Sequence, residues 1–430
     1  MESILLLACL ITLVLLGAPI GFTLILLPVA YILLFDPGVP LNLIPTQMFD
    51  VLDSVTLTAI PFFMLTGELM STGKITDRLV ELSARIIGRM RGSLAQVNIL
   101  VSMFFAGMNG SVVADTATVG SLLIPAMKLR GYEPEYAAAL TSVSATIGGI
   151  IPPSIAMVIL ANAGGISVGA LFAAGIIPGL LIGLTLMIMT YVIAVKRNYE
   201  RSEEDFSWIA LGKAFLNASF ALVIPVVLVG SVMGGIAGVV EAGAITACVA
   251  LALGAFVYKT VTWKSVVQAF IRAFRTSAIV FIILSAAGPF SWLLTILGAI
   301  NLLSEWLLSY ADTPILFATV LVLFIYFIGM VMDAGANIIV LGPVLIHICV
   351  QAGYPAEQAA MIMVIGFLFG TVTPPIGVAY FTAAAVARAT LESVAVSMLP
   401  YLVALFFLLF AVILVPPITM WLPTAWGFIR

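Results

Sequence analysis

The stretch SATIGGIIPPS, Ser144 to Ser154, and its counterpart GTVTPP, Gly370 to Pro375, decide how the rest of the chain is read. Both interrupt strongly apolar sequence with adjacent prolines, small residues and hydroxyls. A proline inside a helix removes a ladder hydrogen bond and clashes with the carbonyl four residues back, so two in succession break the helix and release carbonyls. In lipid, such backbone survives only where protein covers it or where it lines a polar cavity. Pro152-Pro153 and Pro374-Pro375 lie 222 positions apart, as do Gly131-Tyr132 and Gly353-Tyr354, Glu135 and Glu357, Ala137-Ala138 and Ala359-Ala360, and Pro178 and Pro400. Upstream, Asp115 and Pro125 pair with Asp333 and Pro343 at an offset of 218. The chain therefore carries an internal repeat with one broken helix in each copy.

Composition supplies the solvent. Apolar residues make up 63% of the chain and charged residues 9%, against roughly half and a quarter in soluble domains. Apolar runs such as 216–232 and 401–416 approach the ~20 residues that a bilayer crossing requires. The expected fold class is an all-α polytopic membrane protein. Residues 4–16 lack the basic flank and small-residue cleavage site of a secretory signal and are expected to stay as membrane segment. Cys9, Cys248 and Cys349 have no metal or redox spacing and are expected to be small core residues. With His347 as the only histidine, a histidine-based metal cluster or catalytic triad has almost no material, and the chain is not expected to be an enzyme.

Charge placement then sets the topology. Basic residues fall at Lys74 to Arg91, Lys128 with Arg130, Lys196 to Lys213, Lys259 to Arg275, and Arg388, all expected on the cytoplasmic side, with Arg430 left as the one basic residue outside. The connections 35–56, 301–314 and 347–357 hold acidic residues but no Lys or Arg and are expected in the periplasm. Residues 57–72 then run inward. The segment 93–126 begins and ends beside basic patches, so it must be a re-entrant helical hairpin. Residues 134–172 form a broken helix running outward and 173–195 return. In the second half, 213–232 run out, 236–258 return and 276–300 run out. The segment 315–346 is a second hairpin of opposite entry, 355–388 a second broken helix, and 393–420 the last exit. Residues 1–195 are thus a first repeat, 196–212 a cytoplasmic connecting loop and 213–430 a second repeat of inverted topology. Gly17-Ala18-Pro19 divides residues 4–34, which read as one kinked span or two short ones; inversion symmetry favours two, with Met1 outside. Inverted repeats with interrupted helices are a recurrent architecture of secondary transporters, whose sites lie near the midplane at the interruptions.

The hairpin tips are read at Ala106 to Ser111 and Gly329 to Asn337, both too rich in glycine and polar groups to continue a lipid-facing helix. Asp115 and Thr116 open a returning arm whose positive N-terminal end suits an anion. Released carbonyls with Ser and Thr hydroxyls offer the hard oxygen ligands of an alkali cation. Two or more sodium sites are therefore expected, drawing on Ser111, Asp115, Ser144 and Gly148 in the first copy and on Gly329, Asp333, Gly370 and Thr373 in the second. The space between them is the candidate substrate site, with Asn109, Gly110, Ser154 and Asn337. The bland alternatives are that the double prolines are only kinks and that Asp115 and Asp333 are helix N-caps, although buried carboxylates in a membrane are costly. Glu68 and Glu241 are read as structural. The stretch 74–91 reads as an amphipathic helix on the cytoplasmic surface.

The segment ending IPPS at Ser154, the GTVTPPIG segment from Gly370 to Gly377, and Glu241-Ala242 after a Gly-rich turn resemble the large, DctM-type membrane subunit of tripartite ATP-independent periplasmic (TRAP) transporters. The resemblance covers essentially the whole chain. It departs at Gly238-Val239-Val240, where Thr-Pro-Thr is usual, and at Met108-Asn109, where a more Ser-rich run is common. The resemblance implies a sodium-driven elevator of the ion-transporter superfamily type in the bacterial inner membrane, carrying a small carboxylate or related organic anion. It also implies two partners, a small four-helix membrane subunit and a periplasmic substrate-binding protein. Competing readings are a self-sufficient sodium/dicarboxylate symporter, an intramembrane enzyme, for which no nucleophile motif exists, and a channel.

Overall fold

The computed structural model describes residues 2–73, 75–199, 207–331, 334–374 and 377–429, and the elements among them are helices. The first part of the chain forms α1 (Glu2–Leu15), α2 (Ile20–Phe35), α3 (Leu43–Leu52), α4 (Ala59–Thr72) and α5 (Ile75–Ile87). Next come α6 (Ser93–Asn109), α7 (Val112–Leu129), α8 (Pro134–Ala145), α9 (Ile155–Gly164) and α10 (Val168–Lys196). The second half opens with α11 (Trp208–Met233), α12 (Val239–Ala252), α13 (Trp263–Ile296), α14 (Ala299–Leu308) and α15 (Pro314–Val331). It closes with α16 (Ala334–Gln351), α17 (Ala356–Gly370), α18 (Val378–Ala387), α19 (Leu391–Leu414) and α20 (Pro417–Ala425). Among the described residues, eight helical stretches are long and apolar enough to cross a bilayer.

Residues 4–34 form two helices, the alternative that inversion symmetry favours, parted where Gly17 takes φ +84°. Several other boundaries differ from the charge-based reading. The first broken crossing stops at Gly164 rather than at 172, because Gly165 ends α9 in the left-handed conformation and the Ser167 hydroxyl caps α10 by accepting from Ala170 N–H at 3.4 Å. Helix α13 begins at Trp263, well before 276, under a Thr262–Ser265 capping box, so the basic patch at 264–275 lies on a helix. Residues 301–308 of the acidic connection are helical too, as part of α14. The last span ends at Leu414, before Pro416 and Pro417. Cys9 and Cys248 sit on exposed helix faces, and only Cys349 is a core residue.

The core is built around α8 and α17. Every residue from Tyr136 to Ala145 and from Gln358 to Gly370 is buried, and the many Ala, Ser and Gly residues there allow neighbouring backbones to approach closely. The same neighbours recur in both copies. Helix α7 packs on α8 and α18, and α16 packs on α17 and α9. The returning arm of each hairpin therefore rests on the first half of its own broken helix and on the second half of the other copy's. Buried hydroxyls also join the copies: Tyr401 Oη donates to Tyr136 Oη at 3.1 Å and lies 3.0 Å from Thr190 Oγ1. Around this core, α2, α3 and α4 pack on α13 and α12 packs on α4, and Arg272 Nε on α13 donates to Glu68 Oε2 on α4 at 2.6 Å. Helix α5 packs on α6 and α11, with the Arg78 guanidinium 3.9 Å from the centre of the Tyr258 ring.

The charge argument for sidedness has a direct test. A single cysteine replacing Glu204 is expected to resist a membrane-impermeant thiol reagent in cells whose outer membrane has been opened, while one replacing Gln351 is expected to react. The opposite labelling pattern would overturn the threading.

Candidate functional site

Gly110 follows α6 with φ +59°, which glycine alone adopts without steric cost. A Cβ there would come within 3.0 Å of Ile155 N and 3.1 Å of Pro153 O, so the tip lies directly on the start of α9. Ser111 caps α7 by accepting from Ala114 N–H at 3.4 Å. The capping role considered for Asp115 thus belongs to Ser111, and Asp115 stands one turn further in, fully buried. Its carboxylate faces Gly148, where an added Cβ would lie 3.7 Å from Oδ2. Ser102 is beside it, but the Ser102 hydroxyl is directed to Ser144 Oγ at 3.4 Å. Neither Asp115 oxygen receives a hydrogen bond of normal geometry among the described residues. Ser144 Oγ in turn donates to Asn98 Oδ1 at 3.0 Å, and Asn98 Nδ2 to Thr141 Oγ1 at 2.7 Å. Asp115, Ser144 and Gly148 are therefore brought together as expected. Asn98, Ser102 and Thr141 lie with them and were missed, although Asn98 and Ser102 stand four apart on a largely apolar helix, which places them on one face.

The first break runs from α8 through a tight turn, Thr146–Gly149, to the Pro152-Pro153 pair, whose peptide bond is cis. Ser154 closes the break, donating to Gly149 O at 2.5 Å and capping α9 by accepting from Met157 N–H at 3.3 Å. Its hydroxyl is engaged in the break itself rather than in a cavity wall.

In the second copy the tip meets the break through bare backbone. A Cβ on Gly370 would lie 2.6 Å from the Gly329 carbonyl carbon, and one on Gly329 would lie 2.8 Å from Gly370 Cα. Thr371 and Thr373 donate their hydroxyls to Leu368 O and Phe369 O, both at 2.7 Å, which leaves oxygen lone pairs to accept or coordinate. Asn337 is fully buried on α16, with Nδ2 3.5 Å from Ile328 O across the tip. Pro374 ends the described part of this break. Asp333, Pro375 and the Asn109 side chain lie outside the described residues. Glu241 folds back against Gly238 at the start of its own helix, a local arrangement.

Both tips and both breaks meet at one cavity of about 120 Å³. Gly110 and Ser111 contribute the first tip, Ala334 and Gly335 the second, Ile155 the helix start that follows the first break, and Thr371 the second break. Met64 of α4 and Val280 and Ile283 of α13, helices apart from the hairpins and broken helices, close it. Of the expected substrate residues, Gly110 lines the cavity, whereas Ser154 and Asn337 are not in its wall. Ser111, expected at a sodium site, does line it. Helices α7, α9 and α16 all begin at this cavity. Their positive dipole ends favour an anion there.

A multi-pass helical protein with a cavity between paired helix breaks has an architecture that recurs in secondary transporters. The chain belongs to the family of the tripartite ATP-independent periplasmic transporter, DctM component, whose family model matches residues 7–418. It is 32% identical over 95% of its length to the sialic acid TRAP transporter large permease protein SiaM of Vibrio cholerae, covering 95% of that protein. It is 32% identical over 99% of its length to the 2,3-diketo-L-gulonate TRAP transporter large permease protein YiaN of Escherichia coli, covering all of it. The C4-dicarboxylate TRAP transporter large permease protein DctM of Pseudomonas aeruginosa is 31% identical over 92% of both chains. Among solved structures, the Alcanivorax borkumensis YdaH transporter superposes with a TM-score of 0.61 at 18% identity, covering 87% of this chain and 86% of that one, a likeness of fold. The chain is thus a large permease subunit, a multi-pass protein of the bacterial inner membrane, and its relatives are transporter subunits rather than enzymes.

Proposed function

We propose that the chain couples sodium entry to import of a small organic acid, and that a periplasmic binding protein delivers this acid. The observation that carries the reading is the cavity where both tips and both breaks converge under three helix N-termini. The substrate's anionic group would sit against those N-termini, near Ser111. One sodium ion would sit among Asp115, Ser144, Gly148 and the carbonyls of the first break, and another at Gly329, Gly370 and Thr373, with Asp333 as a further candidate. The residues present fit such an ion. The first cluster holds a buried carboxylate without hydrogen-bond partners amid hydroxyl and amide oxygens, and the second is narrowed to backbone and hydroxyl oxygens by its touching glycines.

In this reading, residues 1–195 and 213–430 are inverted repeats joined by a cytoplasmic loop at 196–212. The hairpins α6–α7 and α15–α16 are re-entrant and travel with the broken helices as one body. They slide as an elevator against a frame that includes α4 and α13, and a small four-helix membrane subunit widens that frame. The reciprocal packing of each returning arm on both copies supports one moving body. Replacing sodium by potassium is expected to collapse uptake in proteoliposomes containing the complete complex. Undiminished uptake without sodium, driven by a proton gradient alone, would sink the coupling, and uptake independent of the binding protein would favour the self-sufficient symporter.

A further inference from the structure

We infer that the hydrogen bond between Ser54 and Asn162 is a latch that holds the moving body against the frame at one end of its travel. This rests on the elevator reading above and adds the contact that sets a resting position. Ser54 stands in the turn after α3, where its N–H donates to Leu52 O at 2.8 Å and its carbonyl accepts from Leu57 N–H at 3.2 Å. That turn belongs to the frame, because α3 packs on α13. Asn162 stands in the last turn of α9, the second half of the first broken helix, just before Gly165 ends it. The half-buried Ser54 hydroxyl donates to Asn162 Oδ1, so frame and body are joined side chain to side chain across 108 positions of sequence.

The surroundings let so small a contact matter. Where α13 meets the second hairpin the surfaces are hydrocarbon, and Phe290 and Leu294 line a gap of about 140 Å³ with Phe324 and Val344. Apolar surfaces attract without direction, so they favour no particular register as one slides past the other. A hydrogen bond weakens steeply with misalignment and therefore marks a single position. Beside the bond, frame and body part: Val55 and Thr56, the next two residues of the turn, line a cleft of about 340 Å³ with Ser167 and Val168 at the start of α10. Water entering that cleft can take over both polar groups when the bond breaks. The exchange limits the bond's net effect to about two- to tenfold in the equilibrium between latched and released positions. Such a bias shifts a population without freezing it.

The test is a distance measurement on the purified permease complex, with Cys9, Cys248 and Cys349 replaced by Ala. Spin labels at Asp50→Cys, on the exposed face of α3, and at Gln351→Cys, at the exposed end of α16, report where the body stands relative to the frame. Two distance populations are expected. Ser54→Ala and Asn162→Ala should each move their ratio by about two- to tenfold toward the released position, and the double variant no further, because the same bond is lost in all three. Ser54→Thr keeps the hydroxyl and is expected to keep the original ratio. In unlabelled protein, oxidation of Ser54→Cys with Asn162→Cys is expected to form a cross-link that halts uptake until reductant is added. An unchanged ratio in Ser54→Ala and Asn162→Ala, whatever happens to thermal stability, overturns the latch and leaves the moving body standing. A single distance in every variant, or uptake that continues through the cross-link, overturns the moving body and the latch with it. Failure of the folded pair to cross-link overturns the contact itself.

Discussion

Gly370→Ala is expected to raise the half-saturating sodium concentration of uptake steeply while leaving the permease inserted in the membrane. The new methyl group would meet the Gly329 carbonyl carbon at 2.6 Å, and the obstruction is backbone, which has no rotamer to move aside. The second tip must then lift off its break. Overpacking of this kind costs about 1–3 kcal/mol when side chains can adjust, and occasionally more. Spent on the geometry of a sodium site, that energy is a five- to hundredfold rise in the half-saturating sodium concentration. Gly230→Ala is the control, because a Cβ there meets nothing within 4 Å. Sodium titrations of uptake in proteoliposomes at equal protein content decide the matter. A parental sodium curve for Gly370→Ala would mean that the contact between tip and break has no part in ion binding.

Much of this site is legible in the sequence because proline and glycine act locally. Pro152-Pro153 and Gly110 mark interruptions of the helical ladder wherever they occur in lipid, and their recurrence marks the second copy. Charge placement is a coarser guide. It locates a span between two basic or acidic anchors but is blind to a turn that carries no charge, so Gly165 and Ser167, which end α9 and start α10, passed unread as punctuation. It also treats a basic patch as a loop, whereas Lys264, Arg272 and Arg275 lie on α13, where long basic side chains can reach the interface from a helix. The cavity wall was the least accessible part. Met64, Val280 and Ile283 are ordinary aliphatic residues on helices remote in sequence, and only tertiary packing distinguishes them from the many that face lipid. Asn98 and Ser102 stand between these extremes, since a polar pair at helical spacing inside an apolar run signals an inward face.

Asp115→Asn is expected to remove the stabilisation of the permease by sodium without weakening the fold in sodium-free buffer. Two roles were open for this carboxylate, and its geometry separates them. Ser111 takes the cap of α7, while Asp115 is fully buried against Gly148 with both oxygens unpartnered among the described residues. A side chain held in that way contributes little to stability by itself, because its desolvation is not offset. An amide of the same shape relieves that cost, so the variant should unfold no earlier than the parent when sodium is absent. A cation bound beside the carboxylate reverses the balance. Sodium at a hundred times its dissociation constant stabilises the folded parent by about 2.7 kcal/mol. Most of this should disappear in the variant, since a neutral amide cannot offset the cation's charge. Thermal unfolding of the purified complex across a sodium series measures both terms, and uptake at saturating substrate should fall to background in the same variant. A sodium-induced shift equal to the parent's would place the ion elsewhere. A variant markedly less stable without sodium would instead give Asp115 a structural role that its present surroundings do not suggest.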